Sequence, residues 1–470
     1  MAALHWCASG ALSLALEAQI SHHVEELERQ LHSSASASVC KALRASWREL
    51  QAGNTGLSGQ WTQVALDYSW ERLNMGHWED VSVEWREVYA TAALLKALGQ
   101  ARSGEAKRAM EILDRGILLG APVLDSALHK FASSLTLTMR TDSKASLTGS
   151  TGDEKSKSSA KAGKRIVFRN YKPLGGPISE DPVENKKPRV EINVHDLVSR
   201  TANVPLVDPQ CRVPLVYLPP LDVFRQNYMI PHTPVVISGV LDTWPAYSAR
   251  KWSLEYLRRV AGPRTVPVEI GSRYTDKEWT QKLMTFSDFI DHHILQQEKS
   301  PERGYLAQHL LFQQIPELQE DIKIPDYCCI REGVTGGEVC ESGEGGGCEA
   351  GDGSEVGERV KINAWFGPAG TVSPLHFDPK HNLLAQVVGR KYVKLYSEDQ
   401  SLLLYPFTGL LTNTSQVDVE SPDLTKYPEF SRAEAREFLL HPGQTLYIPP
   451  RCWHYVRSID ISFSVSFWWD

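Results

Sequence analysis

The feature that most constrains this chain is the segment Thr371–Tyr396, which reads TVSPLHFDPKHNLLAQVVGRKYVKLY. His376 and Asp378 are two residues apart, and on an extended strand this spacing places both side chains on one face. A histidine and a carboxylate on one face are two of the three ligands in the facial triad that holds non-haem Fe(II). The segment therefore predicts a β-rich domain built around a metal site.

The third ligand of such a triad is a second histidine from a distant strand. His454 lies far downstream in GQTLYIPPRCWHYV (Gly443–Val456), where Gly and Pro flank a β-rich run. Lys391 begins the β-rich run between the two histidines and is predicted to point inward as a cation. An H-x-D triplet alone is common on strands without a metal. The metal site is favoured because the triplet, the second histidine, the lysine and the β-rich context occur together.

Several motifs between about Val213 and Asp470 resemble the Jumonji-C (JmjC) domain. This is the double-stranded β-helix, or cupin-like, family of Fe(II)- and 2-oxoglutarate-dependent oxygenases. The resemblance implies that His376, Asp378 and His454 are the catalytic metal ligands. It is carried by NAWFGP (Asn363–Pro368), SPLHFD (Ser373–Asp378), GRKY (Gly389–Tyr392), PxxxWH (Pro449–His454) and SFSVSFWW (Ser462–Trp469).

The resemblance also implies the cofactors: Fe(II), 2-oxoglutarate as cosubstrate, and O₂. Lys391 matches the family's lysine for the distal carboxylate of 2-oxoglutarate, and a buried lysine requires such an anion. Tyr305 and Asn382 match the other anchors, and Trp468 matches a tryptophan near the cosubstrate. For Tyr305 and Trp468 an ordinary place among the aromatic residues of a barrel interior remains an alternative.

Three further residues match positions that line the substrate-peptide pocket in similar proteins, namely Glu269, Trp279 and Ser373. A carboxylate beside an indole suits a guanidinium through ion pairing and a cation–π contact. The alternative that Glu269 is an ordinary surface residue of a strand stays open. The chain departs from similar proteins at Phe377, where they tend to have Gln, and we expect its side chain to face away from the metal.

These residues favour hydroxylation of an arginine side chain in a protein substrate. The alternative is a histone N-methyl-lysine demethylase, and the third hypothesis is an endopeptidase acting on arginine-containing histone tails. Demethylases of this fold commonly carry reader modules, Cys clusters and often H-x-E. This chain has H-x-D, and none of its eight Cys forms a C-x-x-C pair. A non-enzymatic cupin is disfavoured because no ligand or anchor is lost.

The predicted fold class is α+β with two domains, as expected for 470 residues. Residues 1–140 have apolar positions at three-to-four spacing and predict an all-α interaction domain of helical hairpins, similar to tetratricopeptide repeats. Residues 141–200 are rich in Ser, Lys and Gly and predict a basic disordered linker. Residues 201–470 form the predicted JmjC catalytic domain, with an acidic, Gly-rich disordered insertion at 332–357.

The expected partner is a protein or peptide containing arginine, with histones and ribosomal or chromatin-associated proteins as candidates. The net charge of −7 and pI near 6.1 argue against direct nucleic-acid binding. The sequence contains no run of about 18 apolar residues, so no membrane span is predicted. Basic clusters at 161–169 and 186–189 are either a nuclear-import signal or a solvated linker, and the predicted location is the nucleus, with the cytoplasm as a second location.

Overall fold

The structure, a computed structural model, describes residues 10–30, 34–75, 81–148, 204–207, 212–271, 275, 278–296, 302–331 and 360–470. Most of the predicted linker (149–200) and the whole predicted acidic insertion (332–357) lie outside the described residues. Within those ranges no helix has both the length and the apolar character needed to cross a membrane.

The described part of the N-terminal half is entirely helical, as predicted. Helix α4 is its centre, because it is buried almost continuously from Val88 to Gly99. Helix α6 runs through residues 141–148, which the sequence analysis assigned to the linker. The helices are α1 (Gly10–Gln30), α2 (Ser34–Gln51), α3 (Thr55–Leu73), α4 (Val83–Arg102), α5 (Ala106–Leu119) and α6 (Ala127–Thr148).

The C-terminal half is built mainly from strands. They are β1 (Leu215–Tyr217), β2 (Val235–Ser238), β3 (Thr265–Ile270), β4 (Thr280–Thr285), β5 (Gly304–His309), β6 (Lys361–Gly367), β7 (Val372–His376), β8 (His381–Val388), β9 (Lys391–Tyr396), β10 (Arg436–Leu440), β11 (Gln444–Ile448), β12 (Trp453–Ser458) and β13 (Ser462–Trp469).

Short helices join the strands of this half. Helix α8 begins after Ser253, whose side chain accepts the Tyr256 backbone N–H as an N-cap. The helices are α7 (Leu221–Phe224), α8 (Leu254–Ala261), α9 (Phe286–Phe289), α10 (Leu311–Gln314) and α11 (Pro316–Gln319), and single π-helical turns extend α7 to Met229 and α9 to Ile294.

The strands form two sheets that pack face to face. The larger sheet has the order β1-β2-β11-β8-β13-β6-β5-β3-β4, and the smaller has the order β10-β9-β12-β7. Between them lies an apolar core to which both sheets contribute, including Leu384 and Ile448 from one and Val393 and Val456 from the other. This arrangement confirms the predicted double-stranded β-helix fold class.

Strand β13 shows how the sequence divides the two faces of the larger sheet. Phe463, Val465 and Phe467 pack outward into the main core, whereas the alternating Ser466 and Trp468 line the cavities inside the barrel. Because side chains alternate with a period of two, one face of β13 packs in the core and the other face lines the cavities of the site.

We expect Phe463→Ala to lower the free energy of unfolding by about 3–5 kcal/mol. The ring is fully buried and lies 4.5 Å from the Trp252 ring and 4.9 Å from the Phe366 ring, centroid to centroid. Urea unfolding of the full-length protein measures the effect. Leu402→Ala is the control, because Leu402 is 87% exposed and its loss should change stability by at most about 0.5 kcal/mol. Equal losses in the two variants would contradict the packing described.

Candidate active site

The structure brings the three sequence-predicted metal ligands together. His376 ends β7 and lies directly across from His454 on β12, with their ring centroids 4.2 Å apart. Asp378 follows β7, and its Oδ2 lies 3.5 Å from His454 Nε2. One donor atom from each residue lies within 4.8 Å of the others. This is the spacing of a single-ion site.

Backbone carbonyls fix the tautomer of both histidines. His376 Nδ1 lies 2.7 Å from the Pro374 carbonyl oxygen, and His454 Nδ1 lies 3.0 Å from that of Cys452. Because a carbonyl oxygen only accepts, each Nδ1 carries the hydrogen, and Nε2 is the nitrogen whose lone pair could bind a metal. Burial, with a smaller contribution from His376, lowers the pKa of His454 to about 4. Two neutral imidazoles and a carboxylate fit Fe(II).

Phe377, between two ligands, faces away from them as expected. Its ring packs edge-on against Trp453 at 4.9 Å, and the Arg451 guanidinium lies 5.0 Å from the ring centroid. The backbone N–H of Arg451 also donates to the Asp378 carbonyl at 2.7 Å. Phe377 therefore anchors the segment that carries the ligands without entering the metal site.

Lys391 is a buried cation at the inner end of the barrel. Its side chain is on β9, the residue is 2% exposed, and its Nζ donates to Tyr305 Oη at 3.4 Å. Burial lowers its pKa to about 7. Among the described residues no carboxylate lies within 4 Å of Nζ. A buried amine without an anion is costly, so this position suits the carboxylate of a ligand.

Asn382 and Trp468 offer polar atoms without partners. Asn382 on β8 is 5% exposed and Trp468 on β13 is 9% exposed. Neither Asn382 Oδ1 nor Trp468 Nε1 has a hydrogen-bond partner in the described part of the chain. Buried polar atoms are nearly always paired, so these two fit a site that a polar ligand completes.

Two adjoining cavities connect these residues. The inner cavity contains the three metal ligands together with Asn382 and Lys391. The outer cavity contains Glu269 and Trp468 together with His376 and Asp378. The two share Tyr305, Trp365, Ser373, His376 and Asp378. The predicted metal ligands therefore lie between the inner cavity, which contains the buried Lys391, and the outer cavity, which contains the Glu269 carboxylate.

The residues predicted to line the substrate pocket are placed differently from one another. Glu269 on β3 lines the outer cavity, and burial raises its pKa while a hydrogen bond from Trp279 opposes this. Ser373 lines both cavities. Trp279 is not among the residues that line the two cavities, and its role in substrate binding stays a prediction. Its Nε1 donates to Glu269 Oε2 at 3.3 Å, and it reaches the cavity through this carboxylate.

The sequence analysis missed several lining residues. Trp365 could have been found, because it shares a face of β6 with other inward positions at a period of two. Nothing local marks the loop residue Asn413, whose side chain donates to the Phe377 carbonyl oxygen at 3.0 Å. The further lining residues of the outer cavity are Ala307, Gln308, Val372, Leu411 and Thr414.

A barrel of two facing sheets with a His-x-Asp and a distant His at its mouth defines the cupin-like class of metal-dependent oxygenases. Residues 220–470 match the family described as "Cupin-like domain", and residues 50–149 match "KDM8-like, N-terminal ARM repeats". The second description replaces the predicted similarity to tetratricopeptide repeats.

Full-length relatives agree with these matches. "Lysine-specific demethylase 8" of Xenopus tropicalis is 42% identical over 463 residues, which cover 97% of this chain and 98% of the relative. The Danio rerio protein of the same name is 41% identical, over 95% and 96% of the two chains. "Jumonji C domain-containing protein 5" of Drosophila melanogaster is 34% identical, over 88% and 87%. The chain belongs to the JmjC family of Fe(II)- and 2-oxoglutarate-dependent dioxygenases.

We expect Asp378→Ala to weaken Fe(II) binding by more than about 100-fold, because the loss of residues that only orient a ligand already costs 10–100-fold. Anaerobic titration with Fe(II), followed by metal analysis of the desalted protein, measures this. His441→Ala is the control, since His441 is an exposed histidine that lies outside both cavities. Unchanged iron content in Asp378→Ala would rule out this metal site.

Proposed function

We propose that this dioxygenase hydroxylates a C–H bond of a positively charged side chain in a protein substrate. The observation that carries the proposal is Glu269, a partly buried carboxylate in the same cavity as His376 and Asp378. Burial raises its pKa, and no described cation lies within 4 Å of it. A cationic side chain entering this cavity would satisfy Glu269 and bring its own C–H bonds toward the metal ligands.

The inner cavity suits the cosubstrate. With Fe(II), 2-oxoglutarate and O₂ bound, the site supplies oxidative decarboxylation of the cosubstrate coupled to C–H hydroxylation. His376, Asp378 and His454 would hold the metal. Lys391 would bind the distal carboxylate of 2-oxoglutarate, with Tyr305 Oη beside it. Asn382, through its side-chain amide N–H, and Trp468, whose Nε1–H lacks a partner, would donate to the remaining oxygens.

The pKa of Lys391 predicts how 2-oxoglutarate binding depends on pH. A bound carboxylate favours the ammonium form, so binding raises this pKa and takes up a proton once the pH exceeds about 7. We expect the Kd to be nearly constant below about pH 7 and to rise about tenfold per pH unit above it. Anaerobic calorimetry between pH 6 and 8.5 measures this. Lys391→Arg, which stays charged, should lose the slope, whereas a flat wild-type profile would contradict the assignment.

The names of the relatives favour N-methyl-lysine demethylation over the arginine hydroxylation that the sequence analysis put first. Both vertebrate relatives are named as lysine-specific demethylases. Hydroxylation of an N-methyl C–H bond would lead to loss of that methyl group as formaldehyde. Glu269 would then pair with the methylated ammonium. This candidate rests on the relatives' names, and the iron site alone serves both reactions.

The geometry of the outer cavity favours arginine. Glu269 presents a carboxylate whose Oε2 accepts a hydrogen bond from the Trp279 indole N–H. A planar guanidinium offers two parallel N–H donors to a carboxylate and stacks on aromatic rings, whereas each added methyl group removes a donor from a lysine ammonium. Arginine hydroxylation is therefore the second candidate, and it has a structural argument of its own.

The wider context of the reaction also stays a proposal. The substrate is proposed to be a protein containing the cationic residue, with histones and ribosomal or chromatin-associated proteins as candidates. Nuclear residence, with the cytoplasm as a second location, is supported by the basic clusters at 161–169 and 186–189. The endopeptidase hypothesis has no support from the sequence motifs or from the described residues.

A mass-spectrometric assay separates the two candidates. The protein, loaded with Fe(II) and 2-oxoglutarate, is given O₂ and two peptides that differ only in carrying arginine or N-methyl-lysine. Gain of one oxygen on arginine assigns hydroxylation, and loss of a methylene mass from methyl-lysine assigns demethylation. In either case we expect Glu269→Gln to raise the KM for the peptide at least about tenfold, because a buried charge-assisted contact is lost. An unchanged KM would remove Glu269 from substrate binding and sink the proposal.

A further inference from the structure

One carboxylate of the helical domain is buried against the catalytic domain. Asp114 on α5 and Arg264 are both 0% exposed. Asp114 Oδ1 accepts from Arg264 Nε at 3.0 Å, from Arg264 Nη2 at 2.7 Å and from Gln314 Nε2 at 2.9 Å. Its Oδ2 accepts the backbone N–H of Thr265 at 2.6 Å. Four donors of the catalytic domain thus converge on one side chain of the other domain.

These donors lie at the ends of the strands that line the outer cavity. Thr265 is the first residue of β3, the strand that carries Glu269. Gln314 donates to the Thr265 carbonyl at 2.7 Å, and its Oε1 lies 2.7 Å from Nε2 of His309, the last residue of β5. Strand β5 supplies Tyr305 to the cavity. A single network therefore joins Asp114 to both strands.

The network has little freedom to relax. Arg264 Nη2 also donates to the Gln314 carbonyl at 2.8 Å, so its guanidinium bridges the helical domain and α10. Removing Asp114 would leave Arg264 as a buried charge without a counter-charge, which is strongly unfavourable. The start of β3 would then have to move to regain hydrogen bonds. Binding groups misplaced by about 1 Å can cost about 100-fold in rate.

We propose that Asp114 is a positioning residue for substrate binding: the helical domain fixes β3 and β5 through it and so sets the position of Glu269. The inference rests on the proposed function of Glu269. The metal ligands, Lys391, Asn382 and Trp468 all lie outside β3 and β5, and none of them bonds to this network; of the proposed cosubstrate groups only Tyr305 lies on β5. Cosubstrate binding is therefore expected to depend on Asp114 much less than peptide binding does.

The test compares Asp114→Asn with Asp321→Asn in the full-length protein. Asp321 is also 0% exposed and pairs with Arg250, Trp252 and Tyr256, none of which lies on β3 or β5. Both substitutions keep the size of the side chain and remove a buried charge. Asp321→Asn thus reports the general cost of losing a buried carboxylate.

Hydrogen–deuterium exchange and binding are the two readouts. In Asp114→Asn we expect faster exchange of residues 265–270 and 304–309, and a Kd for the substrate peptide raised at least about tenfold. The Kd for 2-oxoglutarate should change less than about threefold. In Asp321→Asn the thermal midpoint should fall similarly, while the exchange of both strands and the peptide Kd stay at wild-type values.

A double variant separates positioning from stability. Asp114→Leu with Arg264→Met replaces the ion pair by apolar side chains, which often restores stability but leaves the Thr265 N–H without its acceptor. We expect a recovered thermal midpoint with a raised peptide Kd. A wild-type peptide Kd in this variant would overturn the inference. So would unchanged exchange in Asp114→Asn, or equal peptide effects in Asp114→Asn and Asp321→Asn. Hydrogen–deuterium exchange tests whether Asp114 holds β3 and β5 in place. That test is independent of the proposed function, which Glu269→Gln tests.

Discussion

The site depends first on the register between β7 and β12, because that pairing sets His376 directly across from His454. A slip of one residue would turn every side chain of β12 to the opposite face. The aromatic neighbours of His454 prevent this: Trp453 and Tyr455 are nearly fully buried in a separate core on the outer side of the small sheet. Packing on one face of the strand therefore holds the imidazole on the other. The two carbonyl hydrogen bonds to Nδ1 then set which nitrogen each ring presents.

The two connected cavities carry opposite charges at their two ends. Lys391 closes the inner cavity and Glu269 lies in the outer one, with the metal ligands between them. A dicarboxylate is attracted to the inner end, and a cationic side chain is repelled from it; at the outer end the preferences reverse. Such opposed preferences are a source of specificity, because each ligand is favoured in one cavity and disfavoured in the other. The barrel thus separates cosubstrate from substrate by charge.

Much of this arrangement could be predicted from sequence because it follows local rules. The period of two placed His376 and Asp378 together, and an inward Lys391 called for an anion. Other features arise from contacts between distant segments and leave no local pattern. Trp279 donates to Glu269 from a neighbouring segment, a contact that strand periodicity does not reveal. Gln308 lines the outer cavity with φ of 47° at an irregularity in the β5–β6 pairing, which strand propensity does not reveal. Asp114 lies in an ordinary helical stretch, and only the folded chain shows its partner.

The contact between Asp114 and Arg264 also limits how this protein can change over time. A substitution at either position leaves a charge or a set of donors unmatched in the interior, so it is tolerated only with a compensating change across the domain boundary. A different helical domain could therefore replace this one only together with a matching change at the beginning of β3.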